Sequence, residues 1–471
     1  MNPAVALPGR RQALIGLALG CYAAAAAMAP GLSMKIALSA PLLAIPVLWG
    51  IIGSANIWLA LFLVCALLAP PLPIALGDSG PHPALLFAAA GLFAGVLRIR
   101  AWRFRADPLA VSLLTFCAIL LASVSLAAMY SDPLIALASL ARVCLFAICA
   151  YIFLYVRDGP GIARPGQEVR FIRLLFWLGF LSALFACVDF YYQFPAPAGY
   201  GPQFIWLDSG VFRRAQGVFY EASTLGNLCA FFLEMIAVAV FRQRGEQPLS
   251  PLTMLVGGAT LATALVLSYS RASLVNLGVA LIVLLWMNRK RIRWRRLTIT
   301  SALFAAGAAG VLAAAFPVFA GAYWVRISNA FLYFFEAPNA ILSGRLQSWQ
   351  TLVQFLGTHP WHMLLGVGYK TLPYSDFIGT TIVADNTYLG LLVETGIVGL
   401  AAVIALNVSI LMTAYRAARS EDRVRSFCGT WMFCFWAGQA VQMFSADLLT
   451  YWRVLPVYFL VLAIAAREET A

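Results

Sequence analysis

Four arginines and a handful of carboxylates carry the chemistry this sequence offers. Arg213 and Arg214 precede an apolar run that begins near residue 222. Arg271 sits in Ser268-Tyr269-Ser270-Arg271-Ala272-Ser273 between two apolar runs, and Arg345 opens a stretch of helical spacing. A charge at a membrane boundary is costly unless paired, which marks such residues as functional candidates. Guanidinium forks bind phosphate oxygens two at a time, so several of them together suit a diphosphate. Each arginine alone can equally snorkel to lipid headgroups or pair with a carboxylate. The carboxylates in the same stretches are Asp208, Glu221, Glu336, Asp376, Asp385, Glu394 and Asp447. Asp385 stands in Asp385-Asn386-Thr387-Tyr388-Leu389, where a long polar stretch gives way to an apolar run. That position suits a general base with a raised pKa, and it suits a helix N-cap as well. His82, His359 and His362 lack zinc-type spacing, and all nine cysteines fall inside apolar runs, so neither a metal nor a disulfide framework is expected. No phosphate-cradling glycine loop, nucleophile elbow or dinucleotide fingerprint occurs, and no cofactor is expected.

The elements that position these residues are membrane helices. The chain is 471 residues long, 62% hydrophobic and 11% charged, against roughly 25% charged in soluble domains. Apolar runs of about 17–25 residues, the length of a membrane span, recur throughout. The expected fold is an all-α polytopic membrane protein of about fourteen transmembrane helices. They are read near 12–29, 36–53, 56–70, 83–97, 108–128, 133–156, 171–194, 222–241, 251–268, 272–288, 297–315, 388–415, 426–446 and 452–466. The net charge of +13 does not call for nucleic acid, because the basic residues cluster between apolar runs. Of the 32 Lys and Arg, 23 fall at the two termini and in every second connection. By the positive-inside bias this puts both termini in the cytoplasm. The chain then divides into N-terminal spans (1–194), a first outer loop (195–221), central spans (222–315), a large outer loop (316–387) and C-terminal spans (388–471). In the large loop, Leu346, Trp349, Leu352, Val353 and Leu356 recur at helical spacing before Gly357 and Pro360. An amphipathic helix lying flat at the interface is expected there.

Five segments in this order resemble the O-antigen ligase and polymerase family of bacterial envelope glycosyltransferases. They are Arg213-Arg214-Ala215-Gln216-Gly217 through Glu221-Ala222-Ser223; Ser268-Tyr269-Ser270-Arg271; Ser343-Gly344-Arg345-Leu346 with Trp349; His359-Pro360 to Gly366-Val367-Gly368; and Asp385-Asn386-Thr387-Tyr388-Leu389 through Gly396 and Gly399. The likeness covers about residues 205–415. It implies a GT-C-like membrane glycosyltransferase of the bacterial inner membrane with a periplasmic active site. Its substrate would be a glycan on undecaprenyl diphosphate, passed to a sugar hydroxyl. By motif position it implies diphosphate contacts from Arg214 or Arg213, Arg271 and Arg345. Asp385 and Glu221 would join Arg271 as catalytic residues, with Asn386 and Tyr388 beside the substrate. Where ligases carry a histidine before the asparagine, this chain has Asp385, and Tyr220-Glu221-Ala222-Ser223 looks more like exopolysaccharide polymerases. The expected function is therefore a polymerase of O-antigen or exopolysaccharide repeat units, with ligation of polymer to lipid A–core as the alternative. Membrane lipid, a chain-length regulator and a flippase would be its partners. A lipid-linked oligosaccharide transporter is the rival from another class, and it predicts a site near mid-bilayer rather than at the outer interface.

Overall fold

The computed structural model describes residues 10–31, 34–35, 49–50, 54–72, 81–161, 166–195, 203–207, 210–242, 247–290 and 344–467, with isolated positions between 321 and 332. Along these run α1 (Arg10–Met28), α2 (Ile57–Leu68), α3 (Ala84–Leu97), α4 (Pro108–Tyr130), α5 (Pro133–Arg157) and α6 (Gln167–Tyr192). A two-stranded hairpin follows, β1 (Phe204–Leu207) and β2 (Gly210–Arg213). Then come α7 (Ala222–Val240), α8 (Pro251–Leu267), α9 (Arg271–Asn288), α10 (Arg345–Thr358), α11 (Pro360–Leu365), α12 (Thr387–Ala418), α13 (Arg423–Gln442) and α14 (Leu455–Ala466). The expected spans at 36–53 and 297–315, and the carboxylates Asp208 and Glu336, lie outside the described residues. Apart from the short hairpin, the described elements are helical, as the all-α expectation has it. The hairpin strands pair antiparallel, Phe204 opposite Arg213 and Leu207 opposite Gly210.

Several helix starts follow from short sequence signals. Asp107 accepts from the Ala110 N–H at 2.8 Å, Asp132 from Leu134 at 2.7 Å and Ser250 from Thr253 at 3.1 Å. Each of the three is followed by proline at the first helical position, where a missing N–H costs nothing and φ is already helical. Six helices, α4, α5, α6, α7, α9 and α12, are long and apolar enough to cross a membrane. Their exposed side chains, such as Val111, Leu121, Leu137, Leu184 and Ile282, are those of a lipid-facing surface. The protein is thus an integral membrane protein. Among the longer helices, α13 is less apolar, and packing explains why it needs no lipid-like surface: α7, α9, α12 and α14 surround it.

The polar residues of α13 meet polar residues of those neighbours. Gln439 and Gln442 each accept at 2.8 Å from the side-chain amides of both Asn227 (α7) and Asn276 (α9). The Tyr458 hydroxyl of α14 donates to Asn227 at 2.6 Å. All five side chains are at most 1% exposed. An interhelical hydrogen bond in a membrane contributes about 0.6 kcal/mol on average, up to about 1.7. Gln439→Leu, which removes two of them, is expected to cost on the order of 1–2 kcal/mol. A thermal melt in detergent checks this; an unchanged midpoint would show that the amides add nothing.

Several arginines gather at one end of the helices. There lie Arg157, bonded to Asp107 and Asp158, Arg242 on Ser426, Arg425 on the Ala465 carbonyl, and Arg467 on Glu168. At the other end α7, α9 and α12 begin, and beyond them sits a second, smaller core. Leu352, Phe355 and Leu356 of α10 pack there with Val367, Leu372, Ile382, Ala384 and Val393. The expected amphipathic helix thus buries Leu352, Phe355 and Leu356 in protein and leaves Val353 exposed.

α12 breaks where it meets this outer unit. Gly396 has φ 69° and ψ −172°, a conformation essentially confined to glycine. The break frees carbonyls within an apolar layer, and the turn after α11 satisfies them. Val367 N–H donates to Val393 O at 3.1 Å and Gly368 N–H to Glu394 O at 2.8 Å. The two chains approach so closely that a Cβ on Gly396 would lie 2.1 Å from Leu364 O, and one on Gly366 would lie 2.3 Å from Glu394 O.

Candidate functional site

The spacing of Arg345 and Trp349 puts both on one face of α10, one turn apart. That face meets the chain just before α12. Trp349 Nε1 donates to Ala384 O at 2.7 Å, and Arg345 Nε donates to Asp385 Oδ2 at 3.0 Å. The tryptophan fixes the backbone and the arginine takes the next side chain. Asp385 itself has φ 44°, the left-handed region that side chains disfavour. The helix cap falls to its neighbour: Asn386 Oδ1 accepts from Leu389 N–H at 3.0 Å. Of the two roles open to Asp385, the structure therefore removes the cap. Its carboxylate is turned to Arg345 with 41% of the side chain exposed.

Glu221 comes to this pair from the other long loop. It precedes α7, and its Oε2 accepts from Ser223 Oγ at 2.8 Å. Burial pushes its carboxyl up, Ser223 holds it down, Asp385 pushes it up, and Lys370 and Arg214 pull it down. These influences put Glu221, Asp385, Lys370 and Arg214 in one cluster. Tyr451 closes it: the buried phenol is raised by burial and by Glu221, lowered by Ser223, raised by Asp385 and lowered by Arg345. Arg214 Nε donates to Ser268 O at 2.8 Å, which ties the first loop to the serine hairpin. That hairpin packs on α7 at Gly226, where a Cβ would come within 2.9 Å of Ser268 Oγ, Ser270 Cβ and Ser273 Oγ. Ser270 caps α9 through the Ser273 N–H, so Arg271 becomes its first residue. A cation there opposes the helix dipole, by about 0.3–1 kcal/mol, unless an anion is near.

Three expected site residues are used elsewhere. Arg213 ends β2 and its Nη2 pairs with Asp189 of α6 at 2.6 Å, with both side chains buried. Asn386 spends its side-chain oxygen on the cap, and the Tyr388 hydroxyl donates to Ala440 O of α13 at 3.0 Å. Strand alternation explains the split between the adjacent arginines, since successive side chains point to opposite faces. Sequence reading had passed over Lys370, Ser223 and Tyr451 as site residues. Asp447, one carboxylate among several in the sequence, pairs with Lys370. Their loops carry no periodicity, and Lys370 stood out only as the one lysine between residues 316 and 387. Among the described residues no group of three or more His, Cys, Asp or Glu is arranged to hold a metal ion.

Residues 256–404 match the family model described as O-antigen ligase. The likeness is to that family's domain and covers about a third of the chain. The matched stretch runs from α8 into α12, so it contains Arg271, Arg345, Lys370, Asp385 and Glu394. Glu221, Arg214 and Tyr451 reach the cluster from outside it. No curated protein matches the chain. The match falls on a chain whose helices are long and apolar enough to cross a membrane.

Proposed function

We propose that this protein polymerises repeat units carried on undecaprenyl diphosphate, at the periplasmic face of the bacterial inner membrane, with both termini cytoplasmic. The observation that carries the reading is the Arg345–Asp385 pair beside Glu221 and Arg214, at the end of the helices opposite the cluster of basic residues. In this reading Arg345, Arg271 and Arg214 hold the donor's diphosphate and stabilise it as it leaves. Asp385, gripped by Arg345, orients the acceptor sugar hydroxyl. Glu221, its carboxyl pushed up by burial, takes the hydroxyl proton as the oxygen attacks the anomeric carbon and the diphosphate leaves. The GT-C-like architecture of about fourteen spans belongs to the same proposal, as do a flippase and a chain-length regulator as partners. Against a transporter stands the position of the Arg345–Asp385 pair, before the first residue of α12 and so at a helix end rather than within a span. Ligation of finished polymer to lipid A–core is the second reading, favoured by the description of the matching family.

Deletion of the gene, followed by profiling of envelope glycans and extracted lipid-linked intermediates, tests both. Single repeat units on lipid A–core or stalled on the carrier are expected. Full-length polymer on the carrier with bare lipid A–core would replace the polymerase reading by the ligase one. An unaltered glycan profile would sink both.

A further inference from the structure

Lys370 is a cation of this region that neither the motifs nor the reaction scheme above uses. It is 5% exposed, and its ammonium pairs with the Asp447 carboxylate. Three elements hold it. Arg142 of α5 donates to its carbonyl at 3.4 Å and also to the Tyr374 hydroxyl. Glu394 of α12 receives its backbone N–H. Asp447 lies in the loop after α13, which Thr387 pins through the Met443 and Ala446 carbonyls at 2.8 Å. Lys370 also has φ 56°, so the two left-handed residues Lys370 and Asp385 belong to one cluster. Such conformations cost about 1–3 kcal/mol for residues with side chains and persist only where the surroundings impose them. The pair is lopsided: the lysine side chain is 6% exposed and the aspartate side chain 27%. Asp447 is thus the more open partner of the pair.

The geometry points to Lys370 as a further anion-binding residue of the site, with Asp447 occupying its ammonium at rest and a diphosphate oxygen taking Asp447's place when donor binds. This rests on the reading of the site as a diphosphate site. The resting pair keeps a buried charge satisfied between turnovers, since an unpartnered buried ammonium is far costlier than exchange of one anion for another. A lysine suits a phosphate oxygen as a point charge. Burial pushes the ammonium down to about 8; Glu394 pulls it up, Arg142 pushes it down, and Glu221 and Asp385 pull it up. Asp447 faces it directly, and the Tyr369 ring lies 5.6 Å from its Nζ. The cation is thus present at pH 7 and lost as pH rises through about 8, so anion affinity should fall above that pH.

The test is binding of inorganic pyrophosphate and of a polyprenyl diphosphate to the full-length protein in phosphatidylcholine discs, at pH 7 and pH 9. Lys370→Met is expected to weaken both ligands about 10- to 100-fold at pH 7, the size of one charge-assisted contact. Lys370→Arg should bind at both pH values, having lost the alkaline decline, and Asp447→Asn should bind no more weakly than wild type. These last two variants, with the wild-type pH profile, keep the test decisive should Lys370→Met fail to fold. Wild-type affinity in Lys370→Met, or an alkaline decline persisting in Lys370→Arg, would overturn the inference. If Arg345→Ala lost binding while Lys370→Met kept it, the diphosphate site would stand without Lys370. If wild type bound neither ligand, the site reading would fall and take this inference with it. Equal, Lys370-dependent competition by phosphatidylglycerol in the discs would make the occupant a lipid headgroup and overturn the assignment to donor diphosphate.

Discussion

Arg345→Ala is expected to lower glycan transfer about 100- to 1,000-fold, the scale on which a single preorganised charge acts at a leaving group. The guanidinium serves two ends at once in the proposed reaction: it holds Asp385 at 3.0 Å and faces the place where diphosphate charge develops. Arg345→Lys should recover little, because a point ammonium cannot fork between two oxygens. Trp349→Phe separates charge from placement. It removes the 2.7 Å bond to Ala384 O but no charge, and a loss of about 10-fold is expected from misplacement alone. Polymer yield in a complemented deletion strain, normalised to folded protein, measures all three. Wild-type yield from Arg345→Ala would remove α10 from the site.

Gly396→Ala should have the largest effect on folding. The new methyl would lie 2.1 Å from Leu364 O, a backbone atom that cannot swing aside, in a conformation with φ 69°. Strain of this kind costs about 1–3 kcal/mol before the clash is counted, and total stabilities are only about 5–15 kcal/mol. Folded protein is expected to fall to a small fraction of wild type by fluorescence-detected size exclusion. Gly357→Ala is the control. It lies within α10 with nothing within 4 Å of the added carbon, so it should be neutral or stabilising by up to about 1 kcal/mol. A monodisperse Gly396→Ala at wild-type yield would mean that the interlocked turn does not carry the fold.

The helices of the membrane core were legible because their signals are local. Asp107-Pro108, Asp132-Pro133 and Ser250-Pro251 each start a helix where the sequence says one should. The candidate site was legible as residue types but not as pairs. Nothing within Asp385-Asn386 says which residue caps and which turns outward; the Arg345 guanidinium, forty residues away, decides it. Arg213 and Arg214 read alike in sequence, and a short strand sends one to Asp189 and leaves the other at Ser268. Lys370 and Asp447 lie 77 residues apart in aperiodic loops, so no spacing rule links them. The break in α12 was visible only as a glycine. Its meaning comes from the turn at Gly366, which supplies the N–H groups that the broken helix needs.

That break also bears on how the protein meets membranes of different thickness. A continuous helix responds to a thinner or thicker bilayer by tilting along its whole length. Here the segment from Thr387 to Thr395 is fastened to the 366–368 turn and to the loop after α13, while the segment beyond Gly396 continues towards Ala418. Tilt of the long inner segment can be taken up at the glycine, and the stub that carries Asp385 stays in register with α10. In the proposed reaction the site would then keep its shape as the bilayer changes, because the interlocked turn holds the stub and the bend at Gly396 separates it from the rest of α12.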